Sequence, residues 1–137
     1  MKLHESGENY LKAILILTRK NGSVRSRDLA QYLHVSKPSV SRAIKLLRQG
    51  GFLLPESENG LRLTELGQET AENVCERHRV LTLSLISIGV DPESAVKDAC
   101  RIEHDISKTT FDILKQNLER RLAAPAGNLL GEAQAKA

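Results

Sequence analysis

Ser26–Gln49 reads SRDLAQYLHVSKPSVSRAIKLLRQ and holds two short amphipathic helices with a break between them. In the first helix, Ser26 to Leu33, Ser26 is the expected N-cap, and Leu29, Ala30 and Leu33 share one apolar side. His34-Val35-Ser36 interrupts the pattern. Ser36 then caps a second helix that carries Pro38 inside its first turn, where the missing N–H costs nothing, and runs to Gln49 before Gly50-Gly51. Its apolar side is Val40, Ile44 and Leu47, which leaves Lys37, Ser41, Arg42, Lys45 and Arg48 on the other, with Ser39 near the N-terminal tip. Two helices joined by a three-residue turn, with the small Ala30 where they must pack closely, match a helix-turn-helix. Such a turn favours a residue at positive φ, and His34 stands there in place of glycine.

Small hydroxyls mixed with basic residues suit a helix that enters a major groove, reading base edges near its tip and gripping phosphates along its flanks. Lys37, Ser39, Ser41, Arg42 and Lys45 are therefore candidate DNA contacts, with Arg27 on the preceding helix. On the N-terminal side, Gly7 to Lys20 is a helix with Tyr10, Leu11, Ile14 and Leu17 at helical spacing, stopped by Asn21-Gly22. On the other, Phe52-Leu53-Leu54 and Leu61-Arg62-Leu63 flank a segment ending in Asn59-Gly60, a hairpin signal that reads as a wing with Arg62 as a further phosphate contact. Charge follows the same division. Residues 1–50 carry ten Lys/Arg against three acids, a net +7, and residues 51–137 carry ten against fourteen, a net −4. A basic front half points to a polyanion, and 3% aromatics with no Trp exclude the stacking platforms of single-strand binders, so duplex DNA is favoured.

The chain of 137 residues can bury roughly two-thirds of its unfolded surface without disulfides, and with Cys75 and Cys100 alone no cystine framework is expected. No signal peptide or membrane span is read, so the expected location is the cytoplasm. A long helix from Thr64 to Ile88 carries Ala71, Val74, His78, Leu81, Leu85 and Ile88 on one seam, with His78 inside it and Cys75 about a turn away. Asp91 and Pro92 start the next helix, whose buried stripe is Ala95, Ala99, Ile102 and Ile106. Reading Asp98 to Ser107 as helix puts Cys100, Glu103 and His104 at i, i+3 and i+4, so a thiol, a carboxylate and an imidazole share one face. That is metal-ligand chemistry. Ser107 opens a last helix to about Leu122, and the segment 124–137 reads as a disordered tail.

The succession Glu8-Asn9-Tyr10-Leu11, Val35-Ser36-Lys37-Pro38-Ser39-Val40-Ser41, Leu63-Thr64, Glu76-Arg77-His78, Ile88-Gly89-Val90-Asp91 and Asp98-Ala99-Cys100-Arg101-Ile102-Glu103-His104 resembles the diphtheria-toxin-repressor and manganese-transport-regulator family over residues 4 to 122. The resemblance implies a mainly α protein: a winged helix-turn-helix DNA-binding domain over 1–63, then a helical metal-binding and dimerisation domain over 64–123, without the SH3-like domain of longer members. It implies His78, Cys100, Glu103 and His104 as metal ligands, with Asn9 on the first helix as another. The short branch of the family has two carboxylates where this chain has Asn9 and Lys12, which favours one ion per subunit. Thr82 and Val96 stand at the long branch's ancillary site and offer it no ligand. Cys100 moves preference from Mn(II) toward Fe(II), Co(II), Ni(II) or Zn(II). The expected cofactor is Fe(II) or Mn(II), with Zn(II), Co(II) or Ni(II) as substitutes in vitro.

The function so implied is a metal-dependent repressor of metal-homeostasis genes. It would bind a palindromic duplex operator as a homodimer, pairing through Ile106, Phe111, Leu114 and Leu118, with no membrane and no small-molecule substrate. The alternative is a metal-independent winged-helix regulator answering a small molecule or the oxidation of Cys75 or Cys100. No phosphate loop, nucleophile elbow or paired catalytic carboxylates appear, so an enzyme is not expected.

Overall fold

The computed structural model describes residue 3 and residues 5–123; the tail expectation for 124–137 falls outside them. Among the described residues there are six helices: α1 (Glu5–Asn21), α2 (Ser26–Leu33), α3 (Lys37–Gln49), α4 (Glu65–Ser87), α5 (Pro92–Ile102) and α6 (Lys108–Leu122). None is long and apolar enough to cross a membrane. The chain divides into two compact units, residues 1–74 and 75–137, with the division inside α4.

In the first unit, α1 buries Tyr10, Leu11, Ala13, Ile14, Leu15 and Leu17 against α2 and α3, which contribute Leu29, Val40, Ile44 and Leu47. Ser36 caps α3 by accepting the Ser39 amide at 3.2 Å. The α2 start departs from expectation: Ser26 is already helical, and the N-cap is Arg25, whose amide donates to Asp28 Oδ2 at 2.8 Å. His34 takes the left-handed conformation, φ 56°, so the turn obtains the positive φ it needs from a non-glycine residue.

The wing is thinner than its sequence suggests. Its only ladder is the single antiparallel bridge Leu53↔Leu63, supported by the Leu54 amide donating to Arg62 O and the Thr64 amide to Phe52 O. Two arginines hold it from below. Arg48 Nε donates to Leu54 O at 3.1 Å and Arg25 to Glu58 O at 2.9 Å. Arg48 is thus spent on the wing rather than standing on the DNA side, because its position near the end of α3 puts the wing backbone in reach. At the start of α4, Gly67 lies so close to the wing that a Cβ there would sit 2.1 Å from Phe52 O.

In the second unit, Val80 of α4 and Leu118 of α6 are buried together, with Leu83, Phe111 and Leu114 packed around them. Leu118 therefore belongs to the subunit's own core and not to the pairing surface expected of it. Ile88 and Ile102, expected on buried stripes, are 71% and 37% exposed. Ile88 is the last residue before the Gly89 turn, where helical periodicity no longer sets the face, and Ile102 ends α5. Of the expected stripe on α5, Ala95 and Ala99 are fully buried.

Gly67→Ala should lose about 2 kcal/mol of stability, because the helix must back away from the Phe52 carbonyl. Gly22→Ala, at φ +84° with open space around it, should lose only about 1 kcal/mol, the left-handed cost alone. Urea melts of the two variants rank them; equal losses would mean that the close approach at Gly67 relaxes without cost.

Candidate metal centre and nucleic-acid face

Helix α5 is set by Asp91, which caps it by accepting the Ser94 amide at 3.0 Å, and by Pro92 in its first turn. That amide bond holds the Asp91 carboxyl below its ordinary range. The helix carries Cys100 on its last turn and ends at Ile102, with Glu103 as C-cap in right-handed helical geometry and the Ile106 amide still donating to Ile102 O, so the helical spacing of Cys100, Glu103 and His104 is nearly kept across the helix end. Glu103 is 0% exposed, its carboxylate against α4.

There it meets His78. Glu103 Oε2 is 2.9 Å from His78 Nδ1, and Cys100 Sγ is 3.7 Å from the same nitrogen. One ligand-type atom from each of His78, Cys100 and Glu103 lies within 4.8 Å of the others. Bonds of about 2.0–2.3 Å from a single cation to N, O and S donors place neighbouring donors roughly 3–4 Å apart, so the set fits one ion. His104, 1% exposed at its side chain, brings Nε2 to 3.4 Å from Glu103 Oε1 but is not part of that close triple. Cys100 is exposed and Cys75 half-buried. Asn9 belongs to α1 in the first unit.

Around the triple, α4 contributes more than its histidine. Arg77 donates to the backbone carbonyl of Glu103 at 3.3 Å. Glu76 is held below the usual carboxylate range, first by its bond to Arg79 and further by Lys115 of α6. The same carboxylate raises Arg79. Among the described residues, the buried Thr82 Oγ1, one turn beyond His78, has no hydrogen-bond partner. Sequence spacing offered no sign of Arg77, since what it meets is a carbonyl 26 residues away.

In the first unit, Lys37, Ser41, Arg42 and Lys45 are exposed together on α3, as are Arg27 on α2 and Arg62 on the wing. Ser39 is half-buried and engaged: Ser36 and Arg42 both donate to its hydroxyl, at 2.9 and 3.4 Å. The outer side of α3 is thus basic and hydroxyl-bearing. Arg25 and Arg62 line a cavity of about 660 Å³ behind the wing, with Glu58 in the same wall.

Two family descriptions match most of the chain: the iron-dependent repressor N-terminal DNA-binding domain matches residues 2–61, and the iron-dependent repressor metal-binding and dimerisation domain matches residues 64–129. The chain belongs to the iron-dependent repressor family. Its members are metal-dependent transcriptional regulators, not known as enzymes, and the mainly α two-part architecture is theirs. The regulator MntR of Geobacillus kaustophilus is 34% identical over 125 residues, covering 87% of this chain and 89% of that protein. The manganese regulator SloR shares the fold with a TM-score of 0.75 at 25% identity, over 91% of this chain and 58% of that one. A manganese-dependent transcriptional repressor solved with manganese gives 0.72 at 25% identity, over 82% and 52%. The chain therefore spans about half the length of these two solved regulators. A metal-binding domain in the family sets aside the metal-independent alternative.

Within the second unit, His78→Ala takes from a fully buried carboxylate its nearest partner and should cost about 2 kcal/mol in metal-free protein. Glu103→Met, which removes the buried charge at similar volume, should cost less or stabilise. Thermal melts in chelator decide the order; a larger loss for Glu103→Met would mean that the carboxylate itself holds the unit together.

Proposed function

We propose that this chain is a repressor of metal-homeostasis genes that binds a palindromic operator as a homodimer when His78, Cys100 and Glu103 hold one divalent transition-metal ion. The observation that carries this is the convergence of a thiol, a buried carboxylate and an imidazole from α4, α5 and the turn after α5, in the part of the chain that matches a metal-binding and dimerisation domain. His104 and Asn9 complete the ligand set in this reading, His104 because it already borders the Glu103 carboxylate and Asn9 on the family resemblance. The division into a DNA-binding part over 1–63 and a metal-binding part over 64–123 is supported by the family limits at 61 and 64.

A divalent cation here would supply the positive charge that lets a thiolate and a buried carboxylate face each other. The chain's own groups do the rest. Cys100 gives up its thiol proton, so uptake is favoured by rising pH. Glu103, bonded to His78 at 2.9 Å, would offer its carboxylate to the ion. Solved relatives named for manganese support Mn(II), while the Cys100 sulfur and the imidazole favour Fe(II) and, in vitro, Zn(II), Co(II) or Ni(II). Mn(II) or Fe(II) is the reading adopted.

On DNA, α3 lies in the major groove, with Ser39 and Ser41 near the bases and Lys37, Arg42 and Lys45 on phosphates. Arg27 and Arg62 flank it on the backbone. Two such helices about 34 Å apart, one duplex turn, require a dimer. Of the apolar residues expected to pair, Leu118 is buried within the subunit and Ile106, Phe111 and Leu114 are half-buried, so their remaining surface and exposed Ile113 and Leu122 on α6 are available for pairing.

Wild-type protein loaded with Mn(II) or Fe(II) should bind operator at least a hundredfold tighter than metal-free protein, a coupling of about 2.7 kcal/mol, and Cys100→Ala should lose most of that gain. Fluorescence anisotropy with and without metal measures it, and equal binding by the two forms sinks the sensor reading. Separately, Arg42→Ala should lower the slope of log affinity against log salt by about one if the residue grips a phosphate. An unchanged slope with unchanged base preference removes Arg42 from the interface.

A further inference from the structure

Resting on the metal-site reading above, we infer that Arg77 is a positioning residue: it anchors the backbone of Glu103 while the carboxylate changes partner, and ties that anchor to α6 through Phe111. Three observations in the second unit carry this. Arg77 and His78 are consecutive on α4, and they take hold of the same residue from two directions: His78 Nδ1 meets the Glu103 carboxylate at 2.9 Å, and the Arg77 guanidinium donates to the Glu103 carbonyl at 3.3 Å. That carbonyl belongs to the C-cap of α5, among the last carbonyls of a helix, which lack an intrahelical donor and attract a cation. The same guanidinium lies over the Phe111 ring, 6.0 Å from its centroid, at the outer limit of cation–π reach. Phe111 is in the second turn of α6 and packs against the Val80–Leu118 core.

The physical consequence follows from the geometry at Glu103. Ligation would replace the direct bond between the Glu103 carboxylate and His78 Nδ1, which otherwise fastens the turn to α4, with bonds from both groups to the ion. With the side chain released, the backbone bond from Arg77 keeps the turn in place, so the carboxylate can rotate about a fixed Cα. A planar fork resting on a ring serves better than a point charge here, because the ring limits the guanidinium to the orientation that faces the carbonyl. Because the ring belongs to α6, any shift of the turn is felt at the start of that helix. Groups that orient a metal ligand typically change metal affinity 10–100-fold when removed.

The test uses the full chain, with Mn(II) and Zn(II) as probes in chelator-competition titrations, and melting midpoints in chelator as the second readout. Arg77→Met should weaken both metals about tenfold, and Arg77→Lys, which keeps charge and a donor but not the fork, should recover part of that loss. Phe111→Leu should weaken metal less, and the Arg77→Met/Phe111→Leu double variant should lose no more than Arg77→Met alone, since both act through one contact. A residue that only stabilises the fold would lower the melting midpoint and leave affinity at low temperature unchanged, and that outcome overturns the proposal. Should Arg77→Met fail to fold, wild-type affinity in Arg77→Lys overturns it equally. Additive losses at Arg77 and Phe111 overturn the tie to α6. Wild-type protein that takes up neither metal defeats the site itself, which separates the failure of the site from the failure of Arg77.

Discussion

A carboxylate with no solvent exposure is the constraint on which the second unit depends. A carboxyl group is costly to bury in hydrocarbon without polar partners, and two imidazoles border that of Glu103 while a guanidinium bonds its backbone carbonyl. Two of these partners come from α4, where consecutive residues present His78 to the carboxylate and Arg77 to the backbone carbonyl. The same arrangement gathers the ligand-type atoms of His78, Cys100 and Glu103 within 4.8 Å of one another.

Helix α4 takes part in both halves of the protein's work. Its first turns meet the wing, where Gly67 leaves no room for a side chain against Phe52 O, and its later turns supply His78 to the metal centre. One continuous element thus backs the wing with its first turns and carries a candidate metal ligand further along. Small size is demanded at one end and specific polar chemistry at the other. The middle, where Ala71 and Val74 are buried, is ordinary core.

What could be read in advance was local. Ser36 with Pro38, Asp91 with Pro92, and Ser107 announced three helix starts that the structure realises, because capping is chemistry between neighbours in sequence. His34 at positive φ was legible for the same reason. What escaped depended on partners distant in sequence. The spacing of Cys100, Glu103 and His104 was legible, whereas the 2.9 Å approach of the Glu103 carboxylate to His78, 25 residues away on α4, is not written in that spacing. Leu118 looked available for pairing because periodicity assigns a residue to a face but does not say whether that face meets its own subunit or another. The wing's strand-like residues predicted a ladder, and the short segments support one bridge. Arg48 illustrates the limit plainly: spacing put it on the polar side of α3, and only the fold shows that it meets the carbonyl of Leu54.

That carbonyl has a consequence for behaviour in salt. The two guanidinium tethers under the wing end on neutral acceptors, Leu54 O and Glu58 O, rather than on carboxylates. Ionic screening weakens attraction between opposite charges and grips on phosphates, while a short hydrogen bond to an uncharged amide oxygen is little affected. Raising ionic strength should therefore loosen the protein's hold on a duplex without deforming the head that docks there. Occupancy and shape are governed by separate physics, so the fit to a preferred sequence survives conditions in which the grip itself has faded.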